Sequence, residues 1–232
     1  MIFFKKDKME NIQIAAAQSA QKLIRFIQED DIDAAESELN KFHDEFGDCY
    51  YTSYLSANLN ASLDNWVEAR DDAINALQYN VSDGEMWNTL GVALCNCSEY
   101  EEGLNALYKA REIGQYGASE NIKYWESIFL TIKTATNLLL NLWLENYDDE
   151  DYDSMVRITD LNEILSEKGH STISWSQDNF NGPMLVTYIQ KEMPALNLSI
   201  IEVPGDGIAD IFSVKVFLIE ARMSVLKSIK KI

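Results

Sequence analysis

A repeat with a constant period constrains this chain more than any other feature of its sequence. Three segments align when the sequence is shifted so that Ile32 falls on Trp66 and Trp66 falls on Tyr100. Within each segment, four aligned positions lie at offsets of 0, 3, 7 and 10, which is the spacing of one face of an α-helix. The four sets are Ile32, Trp66 and Tyr100; Ala35, Ala69 and Gly103; Leu39, Ala73 and Leu107; and Phe42, Ala76 and Ala110. This spacing predicts a helix that recurs in three consecutive segments.

A polar turn precedes each of these helices, and a further helical pattern precedes each turn. The turns read QEDD, SLDN and NCSE. Asp31 and Asp64 are of the residue type that caps helix N-termini, and Ser98 with Glu101 has the spacing of a capping box. The sequence therefore predicts three helix-turn-helix units of equal length.

The preceding helix of the third unit carries a recognisable pattern. Trp87, Leu90, Gly91 and Leu94 give W-x2-L-G-x2-L. This pattern resembles the signature of the tetratricopeptide repeat (TPR) family, whose repeat is a helix-turn-helix of about 34 residues. The resemblance covers residues 16–117 and is clearest in the third unit. It implies a helical solenoid whose groove holds another protein.

The resemblance also implies which residues face that groove, because the first helix of each repeat lines it in this family. The matching positions are Ala17, Ala20 and Ile24; Tyr51, Tyr54 and Asn58; and Glu85, Asn88 and Val92. The two tyrosines are three residues apart on one helical face, and tyrosine is enriched among interface hot spots. Glu85 would attract a basic partner. The alternative is that both tyrosines pack against the neighbouring repeat.

The chain after the repeats divides into three parts. Residues 119–146 predict one long helix with an apolar stripe, which would cap the exposed face of the last repeat. Residues 147–153, YDDEDYD, are typical of a linker, with an acidic mimic as the alternative. We therefore predict a mainly α protein with a TPR-like solenoid and capping helix at residues 1–146, an acidic linker, and a small α/β domain at residues 154–232.

The predicted α/β domain rests on alternating helical and strand-like patterns. Helices are expected at residues 158–169, ending at Gly169, and at 182–193, with Pro183 in the first turn. Strands are expected at residues 171–175 and 197–203. Residues 210–218 either form a third strand or begin a terminal helix. The sequence of this part resembles no family that we recognise.

The sequence offers little for catalysis or metal binding. Cys95 and Cys97 lie two apart on a helix, so their thiols diverge, and we expect them to be structural. Glu202, Asp206 and Asp210 surround the turn PGDG, with His170 elsewhere, and a tight turn explains that pattern better than an active site does. We predict that the chain is not an enzyme and binds no cofactor or metal.

The charge distribution narrows the choice of partner. The net charge is −19, and residues 1–117 hold 21 acidic against nine basic side chains. Nucleic acid is a poor partner for such a surface, whereas a basic protein would be attracted to it. With no apolar run suited to a membrane, we expect a cytoplasmic interaction protein, such as an immunity protein or antitoxin. The alternatives are a TPR-type secretion chaperone and an enzyme with its site in the C-terminal domain.

Overall fold

The computed structural model describes the backbone of residues 2–145, 153–173, 181–192, 196–203 and 211–218. Side chains are described for residues 11–142, 161–173 and 184–192. Most of the described residues are helical, as predicted. The elements are α1 Ile2–Gln28, α2 Ile32–Phe46, α3 Tyr50–Ser62, α4 Trp66–Tyr79, α5 Gly84–Asn96, α6 Tyr100–Ile113, α7 Ala118–Glu145, β1 Asp153–Arg157, α8 Ile158–Glu167, α9 Asn181–Glu192, β2 Leu196–Val203 and β3 Ile211–Leu218.

The helix bounds repeat with the period of the sequence. Helices α2, α4 and α6 begin at Ile32, Trp66 and Tyr100, the three residues that the sequence places at the start of a helix. Helices α3, α5 and α7 begin at three further positions with the same spacing. The predicted long helix therefore starts where the first helix of a fourth unit would start. These repeated bounds are compatible with a helical solenoid.

The turns inside the three units are copies of one another. Asp30, Asp64 and Ser98 have positive φ angles of 58°, 58° and 61°. In each turn the next residue donates its backbone N–H to a carbonyl five residues earlier, over 2.8 Å from Asp31, 2.9 Å from Asn65 and 2.8 Å from Glu99. This is the hydrogen bond of a Schellman motif, which ends the first helix and redirects the chain into the second.

The same geometry corrects two of the three predicted caps. Asp31 is the N-cap of α2, and its side chain accepts from the backbone N of Ala34 over 3.1 Å. Asp64 and Ser98 are not caps, because each is the left-handed residue of its turn. The N-cap is therefore the following residue, Asn65 or Glu99.

Close helix packing forms the core of the third unit. A Cβ added to Gly91 would lie 2.8 Å from the carbonyl oxygen of Gly103, and a Cβ added to Gly103 would lie 2.8 Å from that of Gly91. Both glycines are thus required where α5 meets α6. The predicted burial is confirmed for Leu90, Leu94, Tyr100, Leu104 and Leu107.

Trp87 is the exception to the predicted burial. It is only partly buried, and its Nε1 donates to the carbonyl oxygen of Val81 over 2.8 Å. Its neighbour Met86 is fully buried instead. The hydrogen bond anchors the large ring beside the turn between α4 and α5, where one edge stays in solvent.

The chain divides into two compact parts, residues 1–125 and 126–232. In the first part, the start of α7 contacts both helices of the third helix-turn-helix unit. Asn121 donates to Asn88 on α5 over 2.9 Å, and the ring centroids of Trp125 and of Tyr100 on α6 lie 6.3 Å apart. The predicted linker at residues 147–153 lies outside the described residues except for its last member, which begins β1. The predicted domain bounds stay a prediction.

The second compact part contains a three-stranded antiparallel sheet in the order β1-β3-β2. Strand β2 matches the expected strand at 197–203, and β3 resolves the alternative for residues 211–218 in favour of a strand. Strand β1 was missed by the sequence prediction. The expected helices at 158–169 and 182–193 correspond to α8 and α9, and Gly169 has the positive φ, 75°, of a helix-ending residue.

The expected strand at residues 171–175 is wrong over its described part, 171–173. The side chain of Asn162 on α8 donates to the carbonyl oxygen of Ile173 over 2.9 Å and accepts from its backbone N over 2.7 Å. Both backbone groups that a strand would use at Ile173 are therefore occupied by one side-chain amide.

An ion pair between the buried Glu38 and the half-exposed Lys22 joins α1 and α2, the two helices of the first helix-turn-helix unit. Glu38 on α2 is 7% exposed and accepts from Lys22 Nζ over 2.7 Å and from Ser19 Oγ over 2.9 Å. Burial opposes ionisation, but the hydrogen bonds from Lys22 and Ser19 outweigh it, so the pKa of Glu38 lies below its ordinary value. The equivalent residue of the second unit, Asp72, also accepts hydrogen bonds, whereas the third unit has Ala106.

We expect Glu38→Gln to remove part of the protein's acid sensitivity. A pKa that is lower in the folded state adds stability above the unfolded value of about 4.3, and this stability is lost as pH falls through the folded value. Urea midpoints of the variant and the wild type should therefore differ at pH 7 and converge at a pH low enough to protonate Glu38 in the folded protein. Glu36→Gln, at an exposed position of α2, is the control. A deficit that is equal at both pH values would contradict the prediction.

Candidate partner-binding groove

A cavity of 380 Å³ lies against the first helices of the three units. Its lining comes from α1, α3 and α5, and α3 contacts both of the other two. The lining residues are Ala20, Leu23, Ile24, Ile27, Tyr54, Leu55, Asn58, Leu59, Ala61, Ser62 and Glu85. A volume of this size lies within the range of about 300–1,000 Å³ that is typical of ligand pockets. We call this cavity the groove pocket.

The apolar side of the groove pocket is an extension of the core. Leu23, Leu55 and Leu59 belong to the buried cluster between α1, α2 and α3, so their positions are fixed by packing. Ala20 has a small side chain, which leaves room between the helices. Ile24 is 57% exposed although it is aliphatic, and it lines the cavity. The pocket therefore exposes apolar surface to solvent.

The polar side is a hydrogen-bonded group that links the second and third units. Glu85 Oε1 accepts from Tyr54 Oη over 2.7 Å and from Asn58 Nδ2 over 3.3 Å. Tyr54 also packs against two apolar clusters, one between α1, α2 and α3 and the other formed by α3, α4, α5 and α6. Burial, and then its hydrogen bond to Glu85, raise the pKa of the Tyr54 hydroxyl. The hydroxyl therefore stays protonated and donates its hydrogen to Glu85.

A second tyrosine, which the sequence prediction missed, makes a parallel link. Tyr50 Oη donates to Asp83 Oδ2, and the rings of Tyr50 and Tyr54 lie 5.9 Å apart. Asp83 is also the N-cap of α5, since its other oxygen accepts from the backbone N of Glu85 over 2.9 Å. Aspartate is a residue type that caps helix N-termini, but no pattern in the sequence pairs Asp83 with a tyrosine.

The structure brings together five of the nine residues that were expected to face the groove. Tyr54, Asn58 and Glu85 line the pocket with Ala20 and Ile24. Whether they bind a partner stays a prediction.

The other four predicted groove residues do not line this pocket. Tyr51 packs against the core cluster between α1, α2 and α3, which is the alternative that the sequence left open for the tyrosines. Asn88 accepts from Asn121 at the start of α7. Val92 is half-buried, and Ala17 is exposed on α1.

The cysteine pair has a packing role in the structure. Cys95 is fully buried, and its Sγ is the atom nearest to a Cβ built on Gly103. Burial raises the pKa of the Cys95 thiol to about 12. Burial also raises the pKa of Cys97, which follows the last residue of α5. Both thiols therefore stay protonated at neutral pH, which is unfavourable for reactivity.

The structure describes two of the four residues that the sequence analysis considered for a catalytic site. Asp206 and Asp210 lie outside the described residues, and Glu202 lies in β2. His170 follows α8, and its backbone N donates to the carbonyl oxygen of Leu165 over 2.9 Å, which completes the helix end. Across the described ranges, no group of three or more His, Cys, Asp or Glu residues is arranged to hold a metal ion.

No protein-family model matches the chain, and no curated protein matches its sequence. Within the part of the chain that the structure describes, no helix combines the length and the apolar character needed to cross a membrane.

Proposed function

We propose that this chain is a non-enzymatic interaction protein of the TPR type, which binds a basic protein in the groove lined by α1, α3 and α5. The observation that carries the proposal is the groove pocket itself, where exposed aliphatic surface lies beside a carboxylate. Such a combination suits the side chains of a protein better than it suits nucleic acid, because phosphates need clustered cations.

The TPR assignment is supported by repetition at three levels. The sequence, the helix bounds and the left-handed turn residues all recur with one common period. Gly91 and Gly103 occupy the position of closest helix approach in the unit with the clearest TPR pattern. The first helices of the units also line one cavity, as the resemblance implies for a groove.

The acidic surface supports a basic partner. Residues 1–117 carry more than twice as many acidic as basic side chains. Charges around a groove mainly accelerate encounter and set its salt dependence, whereas the buried apolar contacts hold the complex together. Neutralisation of a basic toxin by an immunity protein or antitoxin has this chemistry, and we include that role in the proposal.

The proposal for the C-terminal part is a small α/β domain at residues 154–232. It is supported by the antiparallel sheet β1-β3-β2 and by the contacts of α8 with β1 and β3 and of α9 with β2.

The groove proposal is tested by two matched variants of α1. Ile14 and Ile24 are 52% and 57% exposed, and only Ile24 lines the groove pocket. Ile24→Asp should therefore weaken partner binding at least about tenfold by placing a charge on the apolar wall, while Ile14→Asp leaves binding unchanged. Partners are captured from the native host on immobilised wild-type protein, identified by mass spectrometry, and their affinities for the three proteins are measured by calorimetry.

Two outcomes would contradict the groove proposal. A stoichiometric partner that binds all three proteins equally would place the contact elsewhere on the molecule. Failure to capture any partner, together with catalytic turnover in a substrate screen, would favour the enzyme alternative. Thermal melting of both variants shows whether a loss of binding reflects a loss of fold.

A further inference from the structure

The groove pocket contains one ionisable carboxylate whose charge has no counterion among the described side chains. None of the lining residues that the structure describes is a lysine or an arginine. Glu85 Oε1 accepts two hydrogen bonds, both from neutral donors, and no described side chain donates to Oε2. A half-buried carboxylate with one free oxygen favours a cation in the adjoining space.

The free acceptors of this site are spread over three side chains. Tyr54 commits its hydrogen to Glu85, so its remaining lone pairs are available as acceptors. Asn58 donates through Nδ2 to the same carboxylate, which leaves its Oδ1 available. With Glu85 Oε2, three acceptors on adjacent side chains line one cavity. An ammonium group has three donors that rotate freely to meet such a set.

A guanidinium group fits this arrangement less well. Arginine binds a carboxylate best through two parallel hydrogen bonds, one to each oxygen. Tyr54 and Asn58 already occupy Oε1 of Glu85, so a bidentate pair would displace a hydrogen bond that links the two repeats. The site therefore selects the compact cation over the planar one.

The apolar wall suits the rest of a lysine side chain. The four methylene groups of lysine pack along apolar surface while the charged end reaches a polar site. Ile24, Ile27 and Leu55 provide such a surface in the same cavity as the carboxylate. Lysine thus matches both sides of the pocket.

We infer that the groove pocket is a binding site for a lysine side chain of the partner, with the ammonium group on Glu85, Tyr54 and Asn58 and the methylene chain on the aliphatic residues of α1 and α3. This inference rests on the proposed function, because it specifies what the partner places in the groove.

The test uses a defined probe and does not require the natural partner. The capped tripeptide Ac-Leu-Lys-Leu-NH2 is titrated into the full-length protein, and the amide NMR signals of Tyr54, Asn58 and Glu85 are followed. Three peptides with arginine, norleucine or Nε-acetyllysine at the central position are the matched controls. We expect the lysine peptide to bind at least about tenfold more tightly than the norleucine and acetyllysine peptides, and more tightly than the arginine peptide.

The protein variant Glu85→Gln completes the test. Glutamine keeps an acceptor oxygen for Tyr54 and Asn58 but removes the charge, so the fold should persist while the preference for lysine disappears. A preference that survives in Glu85→Gln would overturn the inference, as would absence of any shift with the lysine peptide. If the norleucine peptide binds equally well, and Ile24→Asp abolishes its binding, the lysine site is wrong while the proposed groove function stands.

Discussion

Replacing Gly91 with leucine is expected to lower the free energy of unfolding by about 3 kcal/mol, at the upper end of the usual cost of overpacking. A Cβ at this position would lie 2.6 Å from Cγ of Leu107 and 2.8 Å from the carbonyl oxygen of Gly103. Leu107 is fully buried, and the carbonyl belongs to the backbone of α6. Neither atom has room to move, so the two helices would have to separate.

The alanine variant at the same position makes the prediction sharper. In an exposed helix interior, glycine to alanine stabilises by about 1 kcal/mol. Gly91→Ala should nevertheless destabilise the protein, because the steric cost arises at the Cβ atom itself. Asn105→Leu, at an exposed position of α6, is the control for adding a leucine to this helix pair.

Urea unfolding followed by circular dichroism measures these differences. The urea midpoint should decrease in the order wild type, Gly91→Ala, Gly91→Leu. The free energy of unfolding of Asn105→Leu should lie within about 0.5 kcal/mol of the wild-type value. A Gly91→Leu protein that unfolds at the wild-type midpoint would mean that α5 and α6 do not meet at this residue.

The repeating part of the fold could be predicted because it depends on local patterns. The starts of α2, α4 and α6 follow from the helical spacing of Ala35, Ala69 and Gly103 and their neighbours, which needs no knowledge of distant contacts. The residue that caps each helix was harder to predict from the sequence. Aspartate and serine are common at N-caps, but their residue type does not show whether they occupy the cap or the left-handed position before it.

The groove pocket was predictable only in part, for the same reason. Tyr54, Asn58 and Glu85 were identified from positions that face the groove in the TPR family. The link between Tyr50 and Asp83 depends on how α3 and α5 are placed in space, which a one-dimensional pattern does not contain. In the C-terminal part, the capture of Ile173 by Asn162 is likewise a tertiary interaction, and it overrides the strand propensity of the segment.

The packing of the first unit leads to a second prediction of large effect. Phe42 is 3% exposed in the cluster between α1, α2 and α3, and its ring centroid lies 4.7 Å from that of Phe46. The equivalent residues of the other units are Ala76 and Ala110, which shows that the repeating unit tolerates alanine here. The first unit differs because Leu23 occupies the small-residue position that Gly91 occupies in the third.

Phe42→Ala is therefore expected to lower the free energy of unfolding by about 3–5 kcal/mol, because Leu23 holds the helices apart and leaves a cavity. Urea unfolding measures the loss, and Ile74→Ala, at a position 41% exposed, is the control for removing an apolar side chain from a second helix. A cost below about 1 kcal/mol would mean that α1 and α2 close together as α3 and α4 do. Since the same cluster supplies Leu23, Leu55 and Leu59 to the groove pocket, a collapse of that kind would also reshape the apolar wall. Peptide binding to the folded variant would then change even though Phe42 does not line the pocket.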